Sequence, residues 1–290
     1  MTHRSTVERV PIDDLEDPRL ADYAHLTSPR VRERLEAARG IFVVEGHLAL
    51  RSLRASGRSL RSAVATPERA DAVAAELEGA GVPLYIVPRA AIDRLAGYPV
   101  HRGVLAVAPR FVLPDPDDLV ASGSLVLVLD GVADAENVGA IFRSAAALGA
   151  DAVILGSGTC DPLRRRSVRV SMGAVFHVPF ATARALVDLL LAARAGGSPV
   201  LALAPDGEVS LREAAARLDR PSPPTGLGPG PETLAAHTVP PVIVVCGSEA
   251  DGLRPETRAA ATTTVRIPMR PGIDSLNVAA AAAIALSWLV

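Results

Sequence analysis

Lysine is absent: all 30 basic residues of the 290-residue chain are arginine. That excludes imine chemistry on a lysine amine, and it excludes the phosphate loop that needs Gly-Lys-Ser or Gly-Lys-Thr. Cysteine is scarce. Cys160 and Cys246 stand far apart with no Cys-x-x-Cys pair, which argues against a structural zinc site and makes a reduced, cytoplasmic setting the expectation. His25, His47 and His101 lack the spacing of a metal motif, so no metal is expected. Aromatic residues are only 3% of a chain that is 49% apolar; alanine and valine carry much of the rest, so elements can pack closely. The longest apolar stretch, Leu276–Val290, has 15 residues and is too short to span a bilayer. Asp13, Asp14, Glu16 and Asp17, with no apolar core around them, do not read as a signal peptide. The formal charge of −2 means the whole molecule is no polycation, so nucleic-acid binding would have to come from local patches.

The chain is organised around Leu125–Leu155. Leu125–Leu129 is a run of leucine and valine that suits a buried strand of a parallel sheet, and Asp130-Gly131 ends it. Asn137 stands where a helix N-cap is expected. Ile141, Phe142, Ala145 and Leu148 follow at helical spacing, Gly149 stops the helix, and Ala152–Leu155 reads as a second buried strand. This is a β-α-β unit. Asn137 as a cap and Arg143 as a solvated helix residue is the plain reading of the unit by itself.

Before it, residues 1–38 are charged and helix-prone, with Arg30, Arg32, Arg34 and Arg39 forming a basic face that is either solvated or an RNA contact. Strands are expected at Ile41–Val44, Leu60–Ala65, Val82–Val87 and Gly103–Val107, and helices at His47–Ala55, Asp71–Leu77 and Ala90–Leu95. Arg51 and Arg54 add positive charge on the first of these helices. A small α/β domain over 1–108 follows from this pattern, then a connector over 109–123 and a second domain over 124–290.

In the second domain, the loop Gly156–Pro162 begins like a dinucleotide fingerprint, but Asp161 replaces its last glycine and the loop follows the wrong strand. Arg164, Arg165, Arg166 and Arg169 make the densest basic patch, suited to phosphate or simply a solvated helix face. Val175–Phe180, Val200–Ala204, Val242–Cys246 and Thr264–Ile267 read as strands, with a helix over Arg184–Arg194. Residues 219–241 read as a flexible Pro/Gly-rich insertion, and an alanine-rich helix capped by Asp274 or Ser275 closes the chain.

Three motifs stand in order: Asp130-Gly131…Asn137-Val138-Gly139-Ala140…Arg143-Ser144-Ala145…Gly149; Val244-Val245-Cys246-Gly247-Ser248-Glu249…Gly252-Leu253; and Ile267-Pro268-Met269…Ser275-Leu276-Asn277-Val278. With Ser171-Met172-Gly173-Ala174 between them, residues 124–290 resemble the SpoU (TrmH-type) RNA ribose 2′-O-methyltransferases of the SPOUT superfamily. The first domain is similar to the substrate-binding domain that precedes many of these enzymes, through Phe42-Val43-Val44-Glu45-Gly46 and His101-Arg102-Gly103-Val104. There are departures: Ala135 follows Asp134 where the family usually has a proline, Ala250 replaces a frequent glycine, Arg102 stands where the family often has glutamine, and the Pro-rich insertion precedes the second motif.

The resemblance implies an α/β protein, with a small N-terminal α/β RNA-binding domain and a C-terminal parallel-sheet domain closed by a deep trefoil knot. It implies methyl transfer from S-adenosylmethionine to a ribose 2′-hydroxyl, with ribosomal RNA the expected target; tRNA and a non-catalytic RNA-binding protein are the alternatives. Arg143, Asn137, Glu249, Ser275 and Asn277 are the implied catalytic set. Gly247, Ile267, Leu276, Met269 and Ala204 are the implied cofactor-binding set. RNA is expected on Arg164, Arg165, Arg166, Arg169, Arg51 and Arg54. A homodimer, with Arg143 acting in its own protomer or across the interface, completes the expectation.

Overall fold

Aliphatic runs become the buried strands of two sheets in the computed structural model, which describes residues 7–100, 102–218 and 239–290. In chain order the first elements are β1 (Arg9–Pro11), a 3-10 turn (Pro18–Tyr23), α1 (Pro29–Arg39), β2 (Ile41–Glu45), α2 (His47–Ala55), β3 (Ser62–Ala65), a 3-10 turn (Pro67–Arg69), α3 (Ala70–Leu77), β4 (Leu84–Ile86), α4 (Arg89–Ala96) and β5 (Val104–Pro109). There follow α5 (Pro116–Ser122), β6 (Leu125–Asp130), α6 (Ala135–Leu148), β7 (Ala152–Leu155), α7 (Arg165–Val170), a 3-10 turn (Ala174–Phe176), β8 (Phe180–Thr182) and α8 (Leu186–Ala195). The last are β9 (Val200–Leu203), β10 (Val209–Ser210), α9 (Leu211–Arg217), β11 (Val242–Gly247), α10 (Pro255–Ala260), β12 (Thr263–Arg266) and α11 (Val278–Leu289).

The chain divides into two compact units. One is Met1–Phe111 together with Leu163–Gly173; the other is Val112–Pro162 together with Ala174–Val290. The first holds a five-stranded mixed sheet in the order β1-β4-β3-β5-β2, in which β5 runs antiparallel to both β3 and β2. Its core gathers Leu20, Tyr23, Ile41, Val43, Val64 and Leu105. The segment Leu163–Gly173 carries α7, and it packs with this unit although its sequence lies within the second half of the chain.

The second unit holds a seven-stranded sheet in the order β10-β12-β9-β11-β6-β7-β8, every pairing parallel. Its middle strands are buried on both faces, from Leu125 to Leu129 and from Val242 to Cys246. Each such side chain contributes about 1.5–3 kcal/mol. The chain steps from β6 out to β8 and returns to β9, leaving β11 between β9 and β6. At such a reversal, loops leaving the carboxyl ends of neighbouring strands diverge and open a crevice for a ligand.

Several expectations are corrected. Asn137 does not cap α6: Asp134 does, accepting from the Glu136 backbone N–H at 2.9 Å, and Asn137 lies in the first turn. Neither Asp274 nor Ser275 caps α11; Asn277 does. The strand expected over Val175–Phe180 is a 3-10 turn followed by β8, because Pro179 has no N–H for a ladder and Phe180 turns in to meet Phe142 edge-on at 5.5 Å. The stretch over 109–123 contains α5, started by Asp115 capping and Pro116 in the first turn. The N-terminal region opens with β1 as an edge strand on β4, and α9, with its Ser210/Glu213 capping box, and α10 were also unforeseen. Arg32 is not on a solvated face. It is buried, with Nε 2.7 Å from Glu36 Oε1 and Nη1 donating to the Asp22 carbonyl at 2.6 Å. The expected insertion over 219–241 lies outside the described residues up to 238.

Candidate active site

The carboxyl ends of β6, β11 and β12 deliver the three motifs. β6 ends at Asp130, which is fully buried, and Gly131 follows at a φ of 79° that favours glycine. Asp130 accepts a fork from Arg254: Nε donates to Oδ2 at 3.1 Å and Nη2 to Oδ1. The carboxylate raises the Arg254 guanidinium above its ordinary pKa. This fork ties the loop after β11 to the end of β6, and sequence reasoning missed it. An acidic residue closing a wholly apolar strand was the available signal.

β11 ends at Gly247. A side chain there would put its Cβ 2.3 Å from the Gly252 carbonyl carbon, so only glycine lets the returning loop pack this close. Ser248 and Gly252 exchange backbone hydrogen bonds at 2.9 and 3.0 Å, while Ser248 Oγ accepts from the Ala250 and Asp251 N–H groups. This tight turn presents Glu249 to α6.

There the side chains form a directed chain of hydrogen bonds. Asn277 Oδ1 accepts from the Ala279 and Ala280 N–H groups at 3.0 and 3.3 Å. Its Nδ2 therefore donates, and it meets Asn137 Oδ1 at 2.9 Å. Asn137 Nδ2 in turn donates to Glu249 Oε1 at 2.7 Å. Backbone N–H groups can only donate, so they fix both amide orientations and leave Glu249 as the final acceptor. Three residues drawn from three motifs are thus locked by the start of one helix.

Arg143 and Ser275 stand outside this network. Arg143 is exposed on α6 and has no described partner. It lies six residues past Asn137, about 120° around the helix and about 9 Å along it. Ser275 is exposed in the loop before α11.

Of the expected cofactor set, Ala204 follows β9, Gly247 ends β11, Ile267 and Met269 follow β12, and Leu276 precedes Asn277. β12, β9 and β11 are neighbours in the sheet, so the loops after these strands leave it side by side. Ile267 and Met269 are half-buried and Leu276 is exposed, so apolar surface stands uncovered beside backbone N–H and C=O groups. None of the five side chains is charged. Uncharged, partly apolar loops at adjoining strand ends suit a flat heteroaromatic ring, and they fit the adenosine portion of S-adenosylmethionine.

The expected RNA-contacting arginines are variously engaged. Arg164 pairs with Glu33. Arg165 pairs with the buried Glu45 carboxylate, donates to the Tyr98 hydroxyl at 2.6 Å and lies over its ring at 4.4 Å. Arg169 approaches Glu45 Oε1 at 3.4 Å. Arg54 donates to the Glu76 and Glu78 carbonyls. Arg166 and Arg51 are exposed. Among the described residues no group of three or more His, Cys, Asp or Glu could hold a metal ion, and no helix is long and apolar enough to cross a membrane.

Fold and site define a two-unit α/β protein with polar motif loops gathered at the carboxyl edge of a parallel sheet. The chain belongs to the SpoU rRNA methylase family, whose sequence model matches residues 124–287. A second model, for RNA 2′-O ribose methyltransferase substrate binding, matches residues 43–111. An uncharacterized tRNA/rRNA methyltransferase of Mycobacterium tuberculosis is 36% identical over 283 residues, covering 98% of this chain and 92% of its own. An rRNA methyltransferase from Sinorhizobium meliloti superposes with a TM-score of 0.76 at 27% identity, over 97% of each chain, as does its AdoMet-bound form. A structure of an RNA 2′-O ribose methyltransferase matches with a TM-score of 0.70 at 27% identity, over 97% of this chain and 98% of that one.

Proposed function

We propose that this protein is an S-adenosylmethionine-dependent RNA methyltransferase acting on a ribose 2′-hydroxyl. The observation that carries the reading is the Asn277–Asn137–Glu249 chain, because it unites polar residues of all three family motifs at the mouth of the sheet. S-Adenosylmethionine, when bound, supplies an already activated methyl group. The loops carrying Ala204, Gly247, Ile267, Met269 and Leu276 would hold it, mainly through backbone groups.

The protein's own residues have alignment and charge to provide. A guanidinium is a permanent cation with donors and no acceptor, so Arg143 serves as a phosphate anchor and a stabiliser of negative oxygen. Asn137 and Asn277, with amide orientations fixed by α11, hold Glu249 in place. Ser275 is free to orient the ribose hydroxyl. The separation of Arg143 from Asn137 on α6 supports a homodimer in which Arg143 completes the partner's site. The trefoil knot implied by the family resemblance belongs to this reading. Ribosomal RNA is the proposed target, supported by the name of the Sinorhizobium meliloti protein, and unit 1 is proposed as its docking domain.

The test is transfer of a labelled methyl group to ribosomal RNA and to tRNA, beside an Arg143→Ala variant. Transfer to ribosomal RNA by the wild type, lost in the variant, is expected. Transfer to tRNA alone would move the target. No transfer, with no cofactor binding in calorimetry, would leave an RNA-binding protein without catalysis.

A further inference from the structure

In unit 1, an open cleft of about 540 Å³ is lined by Arg19, Asp22, Arg39, Arg61, Ser62 and Tyr85. Asp22 is buried at its base. Its two carboxylate oxygens are divided between two arginines: Oδ1 takes Nη1 of Arg39, and Oδ2 lies 3.2 Å from Nε of Arg61. Each guanidinium has five N–H donors in a fixed plane, and only one atom of each is held by Asp22. The remaining edges stay open, since the Arg39 and Arg61 side chains are 41% and 54% exposed. A buried carboxylate that holds two half-exposed guanidinium groups from behind leaves a preset two-pronged anion receptor.

We propose that the Arg39–Asp22–Arg61 cluster is a docking site for an RNA backbone phosphate, placed by the N-terminal segment of the chain. Two features favour RNA over a small anion. The cleft is open to solvent, and Arg61, Ser62 and Tyr85 of its lining belong to the domain matched to substrate binding. That match starts at residue 43, so Asp22 and Arg39, and Arg19 at the rim, come from the segment before it. Arg19 is itself fixed, forking onto Asp17 with Nε–Oδ1 at 2.9 Å, and it lies over the Tyr85 ring at 5.9 Å. Arg61 immediately precedes β3 and Arg39 closes α1, so secondary structure sets their separation. The inference rests on the RNA-methyltransferase reading and adds where unit 1 grips its substrate.

The test compares Arg39→Gln/Arg61→Gln with a control, Arg69→Gln/Arg94→Gln, that removes the same charge elsewhere on unit 1. Filter binding of ribosomal RNA and of tRNA is measured across a salt series, and methyl transfer in parallel. For the cluster variant, the slope of log affinity against log salt is expected to fall by about 0.7, the value for one phosphate on a single strand, and the affinity by about fivefold near 0.1 M salt. KM for RNA should rise while cofactor affinity holds. Arg61→Gln alone leaves Asp22 its Arg39 partner; it guards against misfolding of the double variant and should show about half of that fall in slope. Equal effects of cluster and control variants, or an unchanged slope, would overturn the site. So would inorganic phosphate binding that depends on Arg39 and Arg61 while RNA binding does not. If the wild type methylates neither RNA, the methyltransferase reading fails, and the binding series still decides the cluster.

Discussion

Asn277 does two jobs that one substitution can separate. Its Oδ1 caps α11, and its Nδ2 orients Asn137 and through it Glu249. Asn277→Ala removes both. Loss of the cap costs about 1 kcal/mol, or about 2 °C in Tm for a chain of this length. Asn277→Asp keeps an acceptor for the Ala279 and Ala280 N–H groups, and a negative charge there is favoured by the helix dipole. It removes the donor to Asn137. If the Asn137 amide then turns over to donate to the new carboxylate, its oxygen faces Glu249; if it does not, two oxygens face each other at the other end. Either arrangement leaves one acceptor against another. A hydrogen bond to a charged group is worth about 1.5–3 kcal/mol. These side chains are partly open to water, so the lower figure applies, which is about tenfold in rate. Methyl transfer at saturating cofactor and calorimetric melting check this together. The expected result is about one-tenth of the rate for Asn277→Asp with a Tm between those of the wild type and Asn277→Ala, and the larger loss of Tm, with loss of rate, for Asn277→Ala. Wild-type turnover by Asn277→Asp would show that the network is scaffolding. A Tm as low as that of Asn277→Ala would refute the cap.

Two further outcomes follow from single positions. Gly247→Ala forces its Cβ against the Gly252 backbone, so it should cost about 1–3 kcal/mol and weaken cofactor binding in calorimetry, since Gly247 belongs to the proposed cofactor-binding set. Burial lifts the Cys246 thiol from 9.0 to about 12. The folded state therefore holds this proton more tightly than the unfolded chain, a stabilisation present below pH 9 and lost as pH rises toward 12. Native protein at pH 8 should leave Cys246 unreactive to a thiol reagent, and unfolding should expose it; fast native labelling would contradict the burial.

Strand and helix positions were legible where a single physical signal dominated. Uninterrupted aliphatic runs marked β2, β6, β7 and β11, and α2 spans His47–Ala55 as its pattern indicates. The start of α6 was misread because Asp134 and Asn137 are both good caps three residues apart, and only the structure shows which side chain receives the N–H. The site itself was legible through the family motifs and not through spacing. Asn137 meets residues 112 and 140 positions away in sequence, and nothing local encodes that meeting. The same holds for Arg254 on Asp130 and for Asp22 between its two arginines. Each is a long-range pairing of charges that looks, in sequence, like ordinary surface polarity.

The arginine patch after Leu163 is the sharpest case, because crowding of like charge in sequence suggested an anionic partner. In the fold the partner of Arg165 is a protein carboxylate: Glu45 is buried, and it holds Arg165 while Tyr98 takes a second N–H. Burial also raises the Tyr98 hydroxyl well above its ordinary range, keeping it neutral beside Glu45, to which it donates at 2.9 Å. Removing Arg165 would leave the Glu45 carboxylate with only the longer Arg169 contact and the Tyr98 hydroxyl, at a cost of about 1–3 kcal/mol. Arg51 is exposed on α2 with no described partner, so Arg51→Ala should leave stability unchanged. If structure decides the role, Arg165→Ala lowers Tm and leaves the salt slope of RNA binding intact, whereas Arg51→Ala holds Tm and lowers the slope. An Arg165→Ala protein that melts like the wild type but binds RNA with a shallower salt dependence would return that guanidinium to the RNA, and would mean that Glu45 releases it when RNA arrives.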